Sequence, residues 1–162
     1  MQSFLAKVAI FAENNVENQH KKRFRGYMSR FKIVVSSKFE ELWRYNVIVV
    51  CELCSADGKR IDFISQESVV APAGSNLTAP PIDYDIKRDI SFESGDGDYV
   101  NLLVYVIPHT LPLTNDIYKT RPFHLTVKVS SGKEVIVNRV FDVNQWSGDN
   151  ITLNRVGCSS EQ

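Results

Sequence analysis

The sequence lacks several features that would place it in a special class of protein. Lysine and arginine together number 19, as do aspartate and glutamate, so no net positive charge is available to coat a nucleic acid. No apolar run reaches the roughly 20 residues that a membrane-spanning helix needs. The apolar run Phe4–Phe11 has no basic leader of the kind that begins a secretory signal. We therefore expect a cytoplasmic protein.

Cysteine is scarce as well. Three cysteines, Cys51, Cys54 and Cys158, cannot form an even disulfide framework. The spacing of Cys51 and Cys54 suits half of a zinc site or a redox pair, but residues three apart in a strand point to opposite faces. A second pair of ligands is missing from the sequence, and its three histidines are scattered. The sequence predicts structural thiols, with no metal and no cofactor.

What the sequence has in quantity is the strand pattern. Phe31–Val35 and Phe123–Val129 alternate apolar and polar residues, whereas Tyr45–Cys54 and Tyr99–Ile107 are long apolar runs rich in β-branched residues. Further strands are predicted after the Asp57-Gly58 turn, around Val69, and over Ile86–Phe92, Glu134–Phe141 and Ile151–Leu153. We predict an all-β, mainly antiparallel, two-sheet sandwich of seven to eight strands, Greek-key or C2-like, with a closed barrel as the alternative.

The chain is interpreted as one domain over residues 1–162, because this length suits a single core. Residues 14–28 are predicted to form a polar and basic loop, and residues 154–162 a polar tail. Ser37 followed by Glu40 makes a capping box, which predicts one short helix near residues 38–44.

Two charged segments suggest ion binding. Glu93–Asp98 contains the acids that Ca²⁺ prefers, but too few of them at alternate positions, and glycine with aspartate is also usual in a turn. Residues 20–32 mix cations with aromatic residues, as a site for anionic lipid or nucleic acid would. The residues of this alternative phosphate site are Lys21, Lys22, Arg23, Arg25, Arg30 and Lys32.

No catalytic signature occurs in the sequence. It contains no nucleophile elbow, phosphate-binding glycine loop, dinucleotide fingerprint or His-Glu-x-x-His motif, and no histidine lies beside an obvious partner. We predict that the protein is not an enzyme and has no catalytic residues. The alternative is an enzyme whose site is assembled from the long loops at residues 72–85 and 108–122.

The feature that points most directly to function is the pair of uninterrupted apolar runs, Val47–Cys51 and Leu102–Ile107. A sheet usually has one wet face, so strands that are apolar on both sides need a second cover. Residues 1–28 or 37–44 are one source of that cover, and a protein partner or a second copy is the other. The sequence predicts a non-catalytic interaction or structural module, part of a larger assembly, that docks through an apolar sheet face or edge. The predicted contact residues are Val47, Val49, Leu102, Val104 and Ile107.

Overall fold

The protein folds into two four-stranded antiparallel sheets packed face to face. A computed structural model describes residues 28–84, 89–114 and 116–158. The strands are β1 (Ser29–Ser36), β2 (Tyr45–Cys54), β3 (Arg60–Ser68), β4 (Asp89–Gly97), β5 (Tyr99–Pro108), β6 (Phe123–Ser131), β7 (Glu134–Val143) and β8 (Asp149–Val156). Sheet A has the order β4-β1-β6-β7 and sheet B the order β3-β2-β5-β8. The predicted two-sheet sandwich is confirmed.

The connectivity repeats within the chain. In each half, the first and fourth strands pair in one sheet, while the second and third form a hairpin in the other. Strands β3 and β4 also contact each other across one open edge of the sandwich, as β7 and β8 do across the other. In each half, the fourth strand returns to lie beside the first, which is the defining feature of Greek-key connectivity.

Alternating burial along each inner strand produces the core. The inward side chains of β1 and β6, such as Ile33 and Val127, meet those of β2 and β5, such as Val49 and Leu102, and all four are fully buried. This is the inner layer that two packed sheets require. The long loops that follow β1, β3 and β5, together with the β7–β8 turn, lie at one end of the sandwich, which we call the loop end.

Several local predictions need correction. The segment Ser94–Gly97 belongs to β4 instead of forming a turn, which leaves only Asp98 between β4 and β5. The glycine at position 97 is required by packing, since a Cβ there would collide with the side chain of Leu53. Residues around Val69 follow β3 without forming a strand of their own, while β8 continues to Val156, inside the segment predicted as a tail.

The predicted hairpin turn is present, but the predicted short helix is not a regular α-helix. Gly58 has a φ of +86°, which confirms the Asp57-Gly58 hairpin turn. The segment predicted as a short helix contains only a three-residue 3-10 turn, Leu42–Arg44, and a second such turn covers Ile117–Lys119. Among the described residues no helix is long and apolar enough to cross a bilayer.

Candidate functional site

The inner face of sheet B holds four of the five residues predicted to contact a partner. Val47, Val49, Leu102 and Val104 are at most 4% exposed and pack against sheet A. They are therefore unavailable to another molecule, and this corrects the assignment of the contact residues. Only Ile107, which is 38% exposed, lies on the outside.

The neighbours of those residues form an apolar surface on the outer face of sheet B. Ile48 pairs with Tyr105 and Val50 with Leu103, which makes a two-by-two block on the central strands β2 and β5. All four side chains are half-buried. Ile107 extends the block on β5, and Phe63, 53% exposed, extends it on the edge strand β3. We call these six residues the outer patch: Ile48, Val50, Phe63, Leu103, Tyr105 and Ile107.

The outer face of sheet A is different in chemistry. On its central strands β1 and β6 the outward residues are Arg30, Lys32, Val34, Ser36, His124, Thr126, Lys128 and Ser130, of which only Val34 is apolar. The corresponding residues of β2 and β5 are Asn46, Ile48, Val50, Glu52, Asn101, Leu103, Tyr105 and Ile107, of which five are apolar. The central strands of sheet A thus have an ordinary solvated face, with exposed Val135 and Val140 only on its edge strand β7, whereas the central strands of sheet B do not.

Polar side chains bound the outer patch at both ends of the strands. At one end Asn46 bonds the loop after β3, accepting from the backbone N–H of Val70 and donating to the carbonyl of Ala71, each at 2.7 Å. At the other end Asn101 donates to Glu52 at 2.9 Å. An apolar centre with a polar rim is the usual anatomy of a protein interface.

The two covers proposed for the apolar strands are not seen on the outer patch in the described part of the chain. The segment 37–44 was one proposed cover, but it folds against the loop end, where the ring of Phe39 stacks on that of Phe123 at 4.5 Å and Leu42 enters the core. The other proposed cover, residues 1–28, lies outside the described residues except for Met28, which is exposed. Within the patch, Phe63 and Ile107 are exposed and the other four residues are half-buried.

The alternative phosphate site is only partly within the described structure. Lys21, Lys22, Arg23 and Arg25 lie outside it. Of the remaining two residues, Arg30 forms an ion pair with Asp96, with 3.0 Å between Nε and Oδ1, and Lys32 lies opposite Glu93 in the β1–β4 ladder. These two cations each have an acidic neighbour, which reduces the local potential available to a phosphate.

The cysteines and the acidic segment do not converge on a metal. Cys51 and Cys54 are buried in β2 with free thiols, and Cys158 is half-buried after β8. Burial raises the pKa of the Cys51 thiol to about 12, so it stays protonated and a poor metal ligand at neutral pH. In the described ranges, no three His, Cys, Asp or Glu side chains are grouped so as to hold a metal ion.

A network of hydrogen bonds at the loop end connects the long loops to one another. His109 is buried and uses both ring nitrogens, one with the carbonyl of Trp43 at 2.7 Å and one with the hydroxyl of Thr110 at 2.8 Å. The fully buried Arg44 reaches Gln145 at 2.7 Å and also pairs with Glu41. His109 and Arg44 thus tie together the loops that follow β1, β5 and β7.

Comparison with known proteins identifies no relative of the chain. The chain matches no protein-family model, and neither curated proteins nor solved structures show a significant match to it. The C2-like arrangement therefore stays a prediction, as does the non-catalytic nature of the protein.

A few polar residues within the apolar runs indicate which side chains face outward, although the periodicity of the runs alone does not. Within the apolar run of β2, the polar residues Asn46 and Glu52 share their parity with Ile48 and Val50. The one polar residue inside the β5 run, Asn101, likewise shares its parity with Leu103. Sparse polar residues thus mark the outer face even where the intervening residues are all apolar.

Proposed function

We propose that the protein is a non-catalytic interaction module that docks a protein partner through the outer patch of sheet B. The observation that supports this proposal is the contrast between the central strands of the two outer faces, polar in sheet A and apolar in sheet B. Apolar surface that is contiguous and rimmed by polar groups favours association, because burying it removes it from water.

The face is favoured over the sheet edges as the docking surface. Strand addition needs a free edge with unpaired backbone groups. Here the edge strands β3 and β4 contact each other, and so do β7 and β8, so each edge is partly shielded by the opposite sheet. In the outer patch, by comparison, the side chains of Phe63 and Ile107 are exposed.

The partner's surface should be apolar at its centre and need not carry strong charge. The rim residues Asn46 and Asn101 already form hydrogen bonds within the chain. The carboxylate Oε1 of Glu52 lies 4.0 Å from Nη1 of Arg60. Few rim groups remain to form ion pairs across an interface. We expect binding that depends weakly on salt, because hydrophobic burial supplies most of the free energy.

Matched substitutions on the two outer faces test this function. Leu103→Lys places a charge at the centre of the outer patch, and Val34→Lys places one at the equivalent centre of sheet A. The native mass of the complex that contains the protein, measured in extract of the source cells by size-exclusion chromatography, should fall for Leu103→Lys and stay unchanged for Val34→Lys. Equal native masses for both variants and the parent chain would rule out docking through this face.

A further inference from the structure

A second surface, at the loop end, has the properties of a small-molecule site. Two adjoining cavities of about 670 Å³ and 770 Å³ share four lining residues, Lys38, Phe39, Arg121 and Gln145. We call the pair of cavities the loop-end groove. The groove is lined by loop residues and by the strand ends of sheet A, and it shares no residue with the outer patch on sheet B.

One wall of the loop-end groove is apolar. Phe39, Pro122, Phe123 and Val140 line the larger cavity. Val140 is 61% exposed even though it is an aliphatic side chain on a strand, and Phe39 is only half-buried beside it. An apolar wall next to a few polar groups is the common composition of a ligand pocket.

The groove also holds a cation that forms no direct contact with an acidic side chain in the described structure. The guanidinium of Arg121 lines both cavities and has no hydrogen-bond or ion-pair partner among the described residues. Lys38 lies beside it as a second shared cation. An Arg guanidinium binds a carboxylate through paired hydrogen bonds, which are stronger than bonds between neutral groups.

The surrounding acids restrict the charge of the ligand. Glu40 and Glu41 line the smaller cavity and Asp89 the larger one. Glu41 is paired with Arg44, and the lining cation Lys119 with Asp116. This leaves Glu40 in the smaller cavity and Asp89 in the larger one as carboxylates without a direct partner among the described residues. One negative charge on the ligand would be attracted to Arg121, whereas further charges would be repelled by these carboxylates.

The groove is held rigid by contacts behind its lining. Gln145 accepts from Arg44 at 2.7 Å, donates to the carbonyl of Arg121 at 2.8 Å and accepts the Tyr45 hydroxyl on its own carbonyl at 2.6 Å. The Phe39 ring stacks on Phe123 with an angle of 7° between planes. Pre-organised lining residues reduce the entropy that a ligand must overcome on binding.

We infer that the loop-end groove binds a monoanionic amphiphile, an aliphatic carboxylate whose carboxyl group pairs with Arg121 and whose chain lies along Phe39 and Val140. Binding leaves the ligand chemically unchanged. A polyanion such as a nucleic acid is disfavoured by Glu40 and Asp89. The inference is independent of the protein-docking proposal, because none of its residues belongs to the outer patch.

Decanoate is a suitable probe, with decanol as its uncharged analogue. In a titration followed by two-dimensional NMR, decanoate should shift the amide signals of Phe39, Arg121 and Gln145 in a saturable way. Arg121→Gln should raise the dissociation constant for decanoate at least tenfold, the scale of one charge-assisted hydrogen bond, and change that for decanol less than twofold. Arg121 has no partner to lose, so the variant should fold normally.

Two control variants separate the groove from other apolar surfaces. Arg60→Gln removes an arginine at the opposite end of sheet B, and Leu103→Lys disrupts the outer patch; both should bind decanoate as the parent chain does. Val140→Asp should weaken binding by placing a like charge on the apolar wall. The inference is overturned if decanoate gives no saturable shifts, if Arg121→Gln binds as tightly as the parent, or if decanol binds as tightly as decanoate.

Discussion

Truncating two adjacent leucines of β5 to alanine should have very different effects on stability. Leu102 is fully buried between the sheets, whereas Leu103 lies half-buried in the outer patch. The two substitutions remove the same atoms from neighbouring positions in the same strand. Any difference between them therefore reports which face each side chain occupies.

The expected magnitudes follow from burial. Leu102→Ala removes a core side chain and leaves a cavity, which costs about 2–5 kcal/mol of unfolding free energy. Leu103→Ala leaves no cavity in the core and should cost under about 1 kcal/mol. For a domain of this size, 1 kcal/mol corresponds to a change in Tm of roughly 2–4 °C. Leu102→Ala should thus lower the Tm by about 4–20 °C and Leu103→Ala by no more than about 4 °C.

Urea unfolding of the purified variants, followed by circular dichroism, measures the change in unfolding free energy for each one. Thermal unfolding followed by the same signal measures the change in Tm. Similar m-values for the two variants would show that the comparison reflects stability alone. If Leu103→Ala proves as costly as Leu102→Ala, the outer patch is already buried in the isolated chain and is not free to bind a partner. Such a result would refute the assignment of the docking face.

Two further predictions concern the cysteines. The pKa of Cys51 is about 12 in the folded protein and near 9.0 without burial, so the unfolded state loses its proton first as the pH rises, and folding stability should fall above about pH 9. From pH 9 to 11 the contribution of Cys51 is about 2 kcal/mol, and Cys51→Ala should remove that contribution in pH-resolved urea unfolding. A smaller dependence should remain, because burial also raises the pKa of Tyr45 from 10.0 to about 12. Val49→Ala, an equally buried control without an ionisable group, should keep the full dependence. Alkylation by iodoacetamide at neutral pH should modify Cys158 well before Cys51 and Cys54, as peptide mass spectrometry can show, because only Cys158 is incompletely buried; equal rates at all three sites would contradict the described burial.

The length and position of the strands could be predicted where the sequence pattern is strong. Clean alternation at Phe123–Val129 and the apolar run Tyr45–Cys54 both correspond to strands of the structure. The last strand was predicted only as a short one around Ile151–Leu153, because Asp149, Asn150 and Asn154 have low strand propensity. Pairing with β5 extends β8 beyond what its own sequence favours.

Which face of an apolar strand points inward was not settled by periodicity. In β2 the neighbours Val49 and Val50 are equivalent in size and polarity, yet one is in the core and the other in the outer patch. The choice depends on which side of sheet B packs against sheet A, and the polar residues at the strand ends favour the outer side for their own parity. A one-residue shift of parity moves every side chain to the opposite face, which is why four contact residues were misassigned.

The loop-end groove could not be predicted from sequence because its residues come together only in the folded chain. Phe39, Arg121 and Gln145 belong to three separate connections. Their spacing of 82 residues between Phe39 and Arg121 (121 minus 39) has no local signature. Loops of this kind acquire meaning from the scaffold that positions them.

The central claim is that the outer patch of sheet B contacts another protein, and site-specific photo-crosslinking tests it most directly. A photoreactive phenylalanine analogue is placed at Leu103 in one version of the protein and at Val34 in another, and both are irradiated in cells that express the chain. We predict a discrete protein adduct from position 103 and none from position 34. Adducts of the same kind from both positions, or from neither, would contradict the claim.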